Sequence, residues 1–556
     1  MSLYHDAAAL LVPGSDQAGT LKSRVFNCKD LKSPPKQVYA LLSEASRWSS
    51  VLSEVVEKSQ LLQLERKLSP SLALLLVHDL LLNKRGISAP ASHPLRTSVE
   101  KHKARLAAEL TKARLKRGFI SIEDLRVYVE TGNIQTDHQG SASLSHNEDR
   151  AGVAARRWPH PRWVRVNTIK TSLDEQLRTT FAGYKHSSSL EQLLDVTTSR
   201  TEKLLHIDKH IPNLLALPPL TDVSKTPAYT NGLIIFQDKA SCFPAYLLDV
   251  KPEDGNCMDA CAAPGNKTTH LAAIADQRGV GGSKPQIYAC ERDKTRALTL
   301  QQMVRIAGAE NHVTIKAGQD FLRMESSQPP SDGVGALLLD PSCSGSGIVG
   351  RDEVSEVILP RSELTYVPQS RSKKRKRKAP VEASQPIVET PVVPEETPLN
   401  GDDSSDRLST RLAALSAFQL KLLLHAFEFP KARKITYSTC SVYLQENEHV
   451  VTKALESPIA KKRGWRILQR DQQISGMKAW EIRGNSQACR EVSETGDVDQ
   501  VAEACIRCEK GTKEGTQGFF VAAFIRDGKE QVPQKSLEEE EEEEDWGGFS
   551  DGSYSL

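Results

Sequence analysis

From Tyr246 onward, short apolar runs alternate with segments of helical period, and this alternation restricts the chain to βαβ units around a mostly parallel sheet. Strands are expected at Cys257–Asp259, Gln286–Cys290, Val313–Ile315, Ala336–Leu339 and Lys434–Tyr437, with helices from about Lys267, from about Asp293 and over Arg411–Ala426. Such sheets bind ligands beyond the carboxyl ends of their strands. Three distinctive segments fall at those ends: Met258-Asp-Ala-Cys-Ala-Ala-Pro-Gly-Asn-Lys-Thr268, Leu337-Leu-Leu-Asp-Pro-Ser-Cys-Ser-Gly-Ser-Gly347 and Ile435-Thr-Tyr-Ser-Thr-Cys-Ser441.

The first segment runs from strand through a small-residue turn into a helix, an arrangement that lets a ligand approach the backbone at the helix start. Its single glycine, Gly265, disfavours a nucleotide pyrophosphate relative to a smaller, phosphate-free cofactor such as S-adenosylmethionine. Glu291 closes the next strand, where a carboxylate can accept both ribose hydroxyls, and Asp320 follows the third strand, within reach of an adenine amino group.

The other two segments each place a cysteine, Cys343 and Cys440, at a strand end. A soft nucleophile beside a sulfonium donor suits methylation of a pyrimidine carbon, since cytosine C5 is unreactive until a thiolate adds at C6. A thiol of ordinary pKa is only a few per cent ionised at neutral pH, so the site must supply positive potential or a proton for the ring. Asp340, next to Pro341, is placed to hydrogen-bond cytosine N3 and N4. The residues do not identify the base that removes the C5 proton. Methylation of exocyclic nitrogens favours an Asn/Asp-Pro-Pro-aromatic sequence, which Asp340-Pro-Ser-Cys343 is not.

Outside this region, Val38, Leu41, Leu42 and Ala45 recur at helical spacing after Ser33-Pro34, a second helix is expected at Ser71–Leu82, and a third from about Val99 to Lys116. The third carries Lys101, Lys103, Arg105, Lys112, Arg114, Lys116 and Arg117 around Leu106 and Leu110, which suits either a solvated face or a phosphate-contacting surface. Arg162-Trp-Val-Arg-Val-Asn-Thr168 suits either RNA binding by stacking and charge or an ordinary edge strand. The expected organisation is a helical N-terminal domain over 1–130, a linker over 131–155, a small α+β subdomain over 156–245, and a catalytic domain over 246–528. A disordered insertion is expected at 353–408 and an acidic disordered tail at 529–556.

Net charge is +2, but the run of eight acids from Glu538 to Asp545 conceals +10 on the remainder, 73 basic against 63 acidic residues. Part of that excess is Lys373-Lys-Arg-Lys-Arg-Lys378, which reads as a nuclear localisation signal, a nucleic-acid tether or a solvated run. The apolar stretch Leu72–Leu82, interrupted by His78 and Asp79, falls short of the ~20 residues of a membrane span, and no membrane association is expected. Ten scattered cysteines favour a reducing compartment, and the lone pair Cys505-Ile-Arg-Cys508 assigns no metal.

Met258–Thr268, Asp340-Pro-Ser-Cys343 with its Ser-Gly-Ser-Gly tail, Tyr437-Ser-Thr-Cys-Ser441 and Glu446-Asn-Glu448 together resemble the Nol/Nop/Sun family of RNA cytosine-5 methyltransferases, with bacterial Fmu-type relatives. The resemblance extends from about Arg162 to Arg526 and includes Gln237-Asp-Lys-Ala-Ser241 and Gly518-Phe-Phe-Val-Ala522. It implies a Rossmann-like α/β methyltransferase domain that binds S-adenosylmethionine through Cys261, Ala262, Ala263, Pro264, Gly265, Asn266, Lys267, Glu291, Arg296, Asp320 and Asp340. It also implies Cys440 as the nucleophile and Cys343 in product release. DNA cytosine methyltransferases use the cysteine after the first proline motif, so chemistry alone leaves that order open. Asn266 departs from the commoner glycine, and Pro-Ser-Cys from Pro-Pro-Cys or Ala-Pro-Cys; both resemble the subgroup acting on large-subunit ribosomal RNA. The expectation is a monomeric nuclear or nucleolar enzyme on ribosomal RNA, within a pre-ribosomal particle. The alternatives are a transfer-RNA methyltransferase or a non-catalytic assembly factor.

Overall fold

The computed structural model describes residues 2–11, 21–28, 30–130, 160–195, 202–219, 221–278, 285–348, 357–361, 404–493 and 497–527. The expected linker, the basic run Lys373–Lys378 and the acidic tail lie outside them. The chain divides into two compact units, residues 1–159 with 348–410, and residues 160–347 with 411–556.

The first unit is helical. Helix Pro35–Arg47 buries Val38, Leu41, Leu42 and Ala45 as their spacing requires, and Pro70–Leu82 starts at a proline with the Ser69 hydroxyl capping Leu72 N. The third expected helix is two, Pro94–Glu100 and Lys103–Lys116, with Lys101 and His102 at the break both reaching Glu65. That tertiary pull leaves no trace in periodicity. Six of the seven expected cations have partners within the unit: Lys101 on Glu65, Arg105 on Ser59 O, Lys112 on Glu109, Arg114 on Ile120 O, and Lys116 and Arg117 on Glu54. Burial opposes the charged Glu54, but ion pairs with Lys58, Arg117 and Lys116 hold its carboxyl at about 2. Three carboxylates, Glu65, Glu109 and Glu54, thus answer four of the seven charges, and the face keeps a positive excess.

The insertion expected without structure over 353–408 needs two corrections. Residues 357–361 lie on the helical unit, with Val357 and Leu359 against its core, the Ser53 hydroxyl donating to Ile358 O, and Arg361 N donating to Glu57 at 2.8 Å. Helix Ser404–Phe427 begins inside the expected insertion. Five docked residues are too few to show a period, and polar first turns look like linker.

The second unit holds two sheets. Strands β1 (Arg162–Val166), β2 (Lys185–His186), β3 (Leu204–Ile207), β4 (Leu214–Leu217) and β5 (Ile234–Phe236) form the smaller one in the order β2-β3-β4-β1-β5. Strand β1 is thus interior, antiparallel to β4 and β5, and not an edge. Trp163 is no stacking platform either: it is buried, donating from Nε1 to Gly515 O at 2.8 Å. Arg165 is buried too, donating to Gln237 Oε1 at 2.7 Å and Thr269 Oγ1 at 3.1 Å.

The larger sheet contains β6 (Asn256–Asp259), β7 (Ile287–Glu291), β8 (Val313–Ala317), β9 (Val334–Leu339), β10 (Lys434–Thr439), β11 (Arg466–Ile467), β12 (Ile506–Cys508) and β13 (Phe519–Ile525). Its order is β11-β13-β10-β9-β6-β7-β8, parallel from β10 to β8 and antiparallel beyond, with β12 on β13. Strand order reverses between β6 and β9, and the ends of β6, β9 and β10 stand side by side. Among the described residues no helix is long and apolar enough to cross a membrane.

Lys239 joins the smaller sheet to the larger. It is fully buried between the Trp163 and Trp480 rings, with Asp208 at 2.6 Å, Glu514 at 3.0 Å and His210 Nδ1 at 3.0 Å. Burial, with Lys239 beside it, holds His210 down to about 4, so its neutral ring accepts from the ammonium. Removing the cation would strand the buried Asp208 and leave Glu514 only the more exposed Lys209. Lys239→Met should lower stability by about 3–5 kcal/mol, read from the urea unfolding midpoint; an unchanged midpoint would contradict the role given to this cluster.

Candidate active site

The site lies where the sheet's strand order reverses. After β6, the chain turns through a cis Ala263–Pro264 bond into helix Asn266–Arg278. Gly265 adopts φ +111°, and a Cβ there would meet Leu300 and Met303 at 3.1 Å, so the turn accepts only glycine without displacement. Asn266 Oδ1 is buried without a hydrogen-bond partner among the described residues, an acceptor left over for a bound group. At the end of β7, Glu291 accepts from Asp293 N at 2.9 Å and lies 3.5 Å from Arg296, whose Nη2 donates to Ala263 O at 2.7 Å. Arg296 thereby links the two loops. Asp320, after β8, caps a short helical turn through Leu322 N at 3.1 Å. These groups form a small-residue turn with carboxylates at successive strand ends, which fits S-adenosylmethionine.

Asp340 follows β9. It is held on both sides, by Lys267 Nζ at 2.8 Å on Oδ2 and by the Ser438 hydroxyl at 2.7 Å on Oδ1. Lys267 also donates to Ser241 Oγ at 3.1 Å and lies over the Phe519 ring. Burial works against the charged lysine, but Asp340, with Cys440 and Asp259 behind it, more than offsets this and raises its pKa. The ammonium therefore persists beside a carboxylate and a sulfur. Asp259, at the end of β6, is pushed up to about 6 by burial against the opposing Thr268 hydroxyl, which donates at 2.7 Å.

Cys343 and Cys440 arrive from adjacent parallel strands with their sulfurs 3.1 Å apart. Their loops are laced together: Gly347 N donates to Cys440 O at 2.9 Å, the Ser344 and Ser441 hydroxyls meet at 3.1 Å, and Ser346 Oγ accepts from Val442 N at 3.1 Å. A Cβ on Gly347 would lie 2.0 Å from Gly518 O and 2.8 Å from Cys440 O, so glycine is required for that approach. The Cys343 thiol is raised far above its ordinary value, first by its hydrogen bond to Cys440 and then by burial. A thiol so raised keeps its proton at neutral pH, and it lies in hydrogen-bond contact with the Cys440 sulfur.

All the sequence-predicted residues fall in this one region: the turn 261–267, Glu291 and Arg296, Asp320 one strand farther out, and Asp340, Cys343 and Cys440 together. Sequence reasoning missed Ser241, Ser438, Gln419 and the tight role of Asn447. Ser438 could have been found, two residues before Cys440 in register with Asp340; Ser241 and Asn447 lie inside the segments Gln237–Ser241 and Glu446–Glu448 noted above without a role, and Gln419 has no local signal. Cys505 and Cys508 are buried in two separate apolar clusters.

Comparison with known proteins gives three matching family models. They are the NOL1/NOP2/Sun domain family member 5 N-terminal domain at residues 36–126, the ferredoxin-like domain of the same member at 160–237, and 16S rRNA methyltransferase RsmB/F at 245–376. The chain is 35% identical over 532 residues to a 25S rRNA (cytosine-C(5))-methyltransferase, rcm1, of Schizosaccharomyces pombe, covering 96% of this chain and 93% of that protein. It is 33% identical over 532 residues to a 28S rRNA (cytosine-C(5))-methyltransferase of Mus musculus, covering 95% and 91%. An Arabidopsis thaliana 25S rRNA (cytosine-C(5))-methyltransferase is 28% identical, covering 90% and 67%.

The raised Cys343 thiol predicts an order of alkylation. Iodoacetamide near pH 8 should modify Cys440 before Cys343, mapped by peptide mass spectrometry, and earlier labelling of Cys343 would reverse the assignment.

Proposed function

Because this chain belongs to the NOL1/NOP2/Sun family of RNA cytosine-5 methyltransferases, we propose that it methylates C5 of a cytosine in large-subunit ribosomal RNA through a covalent bond from Cys440 to C6. The observation that carries this reading is the pair of sulfurs 3.1 Å apart, beside a carboxylate anchored by a partly buried lysine. S-adenosylmethionine, when held by the turn 261–267 with Glu291, Arg296 and Asp320, supplies the methyl group.

The chain's own residues perform the rest. Lys267 stabilises the Cys440 thiolate, whose electron pair forms the S–C6 bond while ring electrons move toward C5. Asp340 accepts hydrogen bonds from N4–H and, once the ring takes a proton, from N3–H; its fixed position between Lys267 and Ser438 means no reorganisation is needed at that moment. When C5 gives up its proton to solvent water, the C–H electron pair restores the C5–C6 double bond and the S–C6 bond breaks, its electron pair returning to the Cys440 sulfur. Cys343, still a thiol, donates a hydrogen bond to the departing sulfur and so assists release.

The relatives named above support the ribosomal target. The setting we propose is a pre-ribosomal particle in the nucleolus, with the chain acting as a monomer; the run Lys373–Lys378 supports nuclear entry.

Cys440→Ala should abolish methylation and form no adduct, whereas Cys343→Ala should accumulate a protein–RNA adduct stable on a denaturing gel. An adduct in the Cys440 variant instead would reverse the two roles. Bisulfite sequencing of RNA from cells lacking the chain should show loss of one methylcytosine in large-subunit ribosomal RNA, and a loss confined to transfer RNA would refute the target.

A further inference from the structure

Two consecutive buried residues, Glu446 and Asn447, each hold one of the two cysteine loops. Asn447 Nδ2 donates to Ser441 O at 3.0 Å, and its Oδ1 accepts from Thr439 Oγ1 at 2.5 Å. These partners flank Cys440 on both sides. Glu446 Oε1 accepts from Ser344 N at 2.9 Å and from Gln419 Nε2 at 2.9 Å, and Gln419 Nε2 also donates to Ser342 O at 3.0 Å. These flank Cys343. The Tyr437 hydroxyl donates to Glu446 O at 2.5 Å, and Glu446, Asn447 and Gln419 are all fully buried.

We propose that Glu446 and Asn447 are positioning residues that set the sulfur-to-sulfur distance, Asn447 indexing the Cys440 loop and Glu446, through Gln419, the Cys343 loop. Because the two are adjacent in the chain, neither loop shifts without straining the other's hydrogen bonds. Among the described residues Glu446 Oε2 is buried without a hydrogen-bond partner, an arrangement that stability alone disfavours and that a clamp on Ser344 N and Gln419 explains. Gln419 comes from helix Ser404–Phe427, so a distant segment of sequence completes the device. In its catalytic consequences this inference rests on the roles proposed above for the two cysteines; its geometry does not.

The test therefore has two arms, both on the full-length protein. In the first, without RNA, the azo oxidant diamide converts the two thiols to a disulfide while it is reduced to the hydrazine, and the Cys343–Cys440 cross-link is followed by peptide mass spectrometry. The wild type should close readily. Asn447→Ala, which removes two hydrogen bonds, and Gln419→Met, which removes three, should each close at least about tenfold more slowly, with unchanged S-adenosylmethionine affinity by calorimetry. Glu446→Gln, which keeps the acceptor oxygen, should close like wild type, and it also serves if a harsher variant fails to fold. Equal closure in all variants, no closure in the wild type, or closure lost in step with cofactor affinity each overturns the proposal.

In the second arm, with RNA, Asn447→Ala should slow adduct formation while Gln419→Met should let adduct accumulate. Equal loss of both steps in both variants would mark a merely structural role and overturn the proposal. Absence of any adduct in every variant, with the first arm positive, would instead fail the reading of Cys440 as nucleophile.

Discussion

Parallel pairing of β9 with β6 on one side and β10 on the other is the constraint from which the site follows. The register sets Leu338 opposite Asp259 and Leu339 opposite Tyr437, so the next residues of β9 and β10 emerge together at the carboxyl edge. Asp340 then meets Ser438, Cys343 meets Cys440, and the turn after Asp259 delivers Lys267 to Asp340. One residue of slip would send those side chains to the opposite faces. The apolar run Val334–Leu339, buried along its whole length, fixes the register, since a strand covered on both faces has no other stable seat.

Low dielectric turns this juxtaposition into chemistry. Lys267 is largely removed from water, so its charge acts strongly on Asp340 and on the sulfur nearby, where an exposed ammonium would be screened. The contact with Cys440, with burial added, raises the Cys343 thiol and so keeps that residue protonated.

Much of this was legible in the sequence because the β-strands that carry the site are short apolar runs and its functional groups lie within a few residues of their ends. The five expected strands occur within two residues of their predicted bounds, and the cysteines meet because parallel strands align their ends. What escaped were interactions that join distant segments. Trp163 and Arg165 have the composition of an RNA-binding surface, yet Gly515, Gln237 and Thr269 claim them for the interior. The cations of helix Lys103–Lys116 suggest phosphate contacts until Glu54, far off in sequence, collects two of them. Gln419 sits in an ordinary amphipathic helix and shows its use only when Ser342 and Glu446 close on it. Periodicity reports which face is buried and nothing about which polar group waits there.

Two lysines of this unit, one fully buried and one partly exposed, differ in what surrounds the ammonium, and under the proposed function they differ in role. Lys239 is fully enclosed, with two carboxylates, an imidazole nitrogen and two indole faces around one ammonium. Every direction from that nitrogen ends in protein, so nothing remains for a substrate. Lys267 has one carboxylate, one hydroxyl and one ring, and its side chain keeps 15% of its exposure. Under the role proposed for Cys440, the further anion that would meet this ammonium is that residue's thiolate. A buried cation with a complete set of partners stabilises the resting chain, whereas one with an incomplete set stabilises the state in which a neighbouring thiol has lost its proton. The placement of Lys267 at the strand-order reversal and of Lys239 between the sheets therefore decides their roles, although the sequence presents both simply as lysines after small motifs.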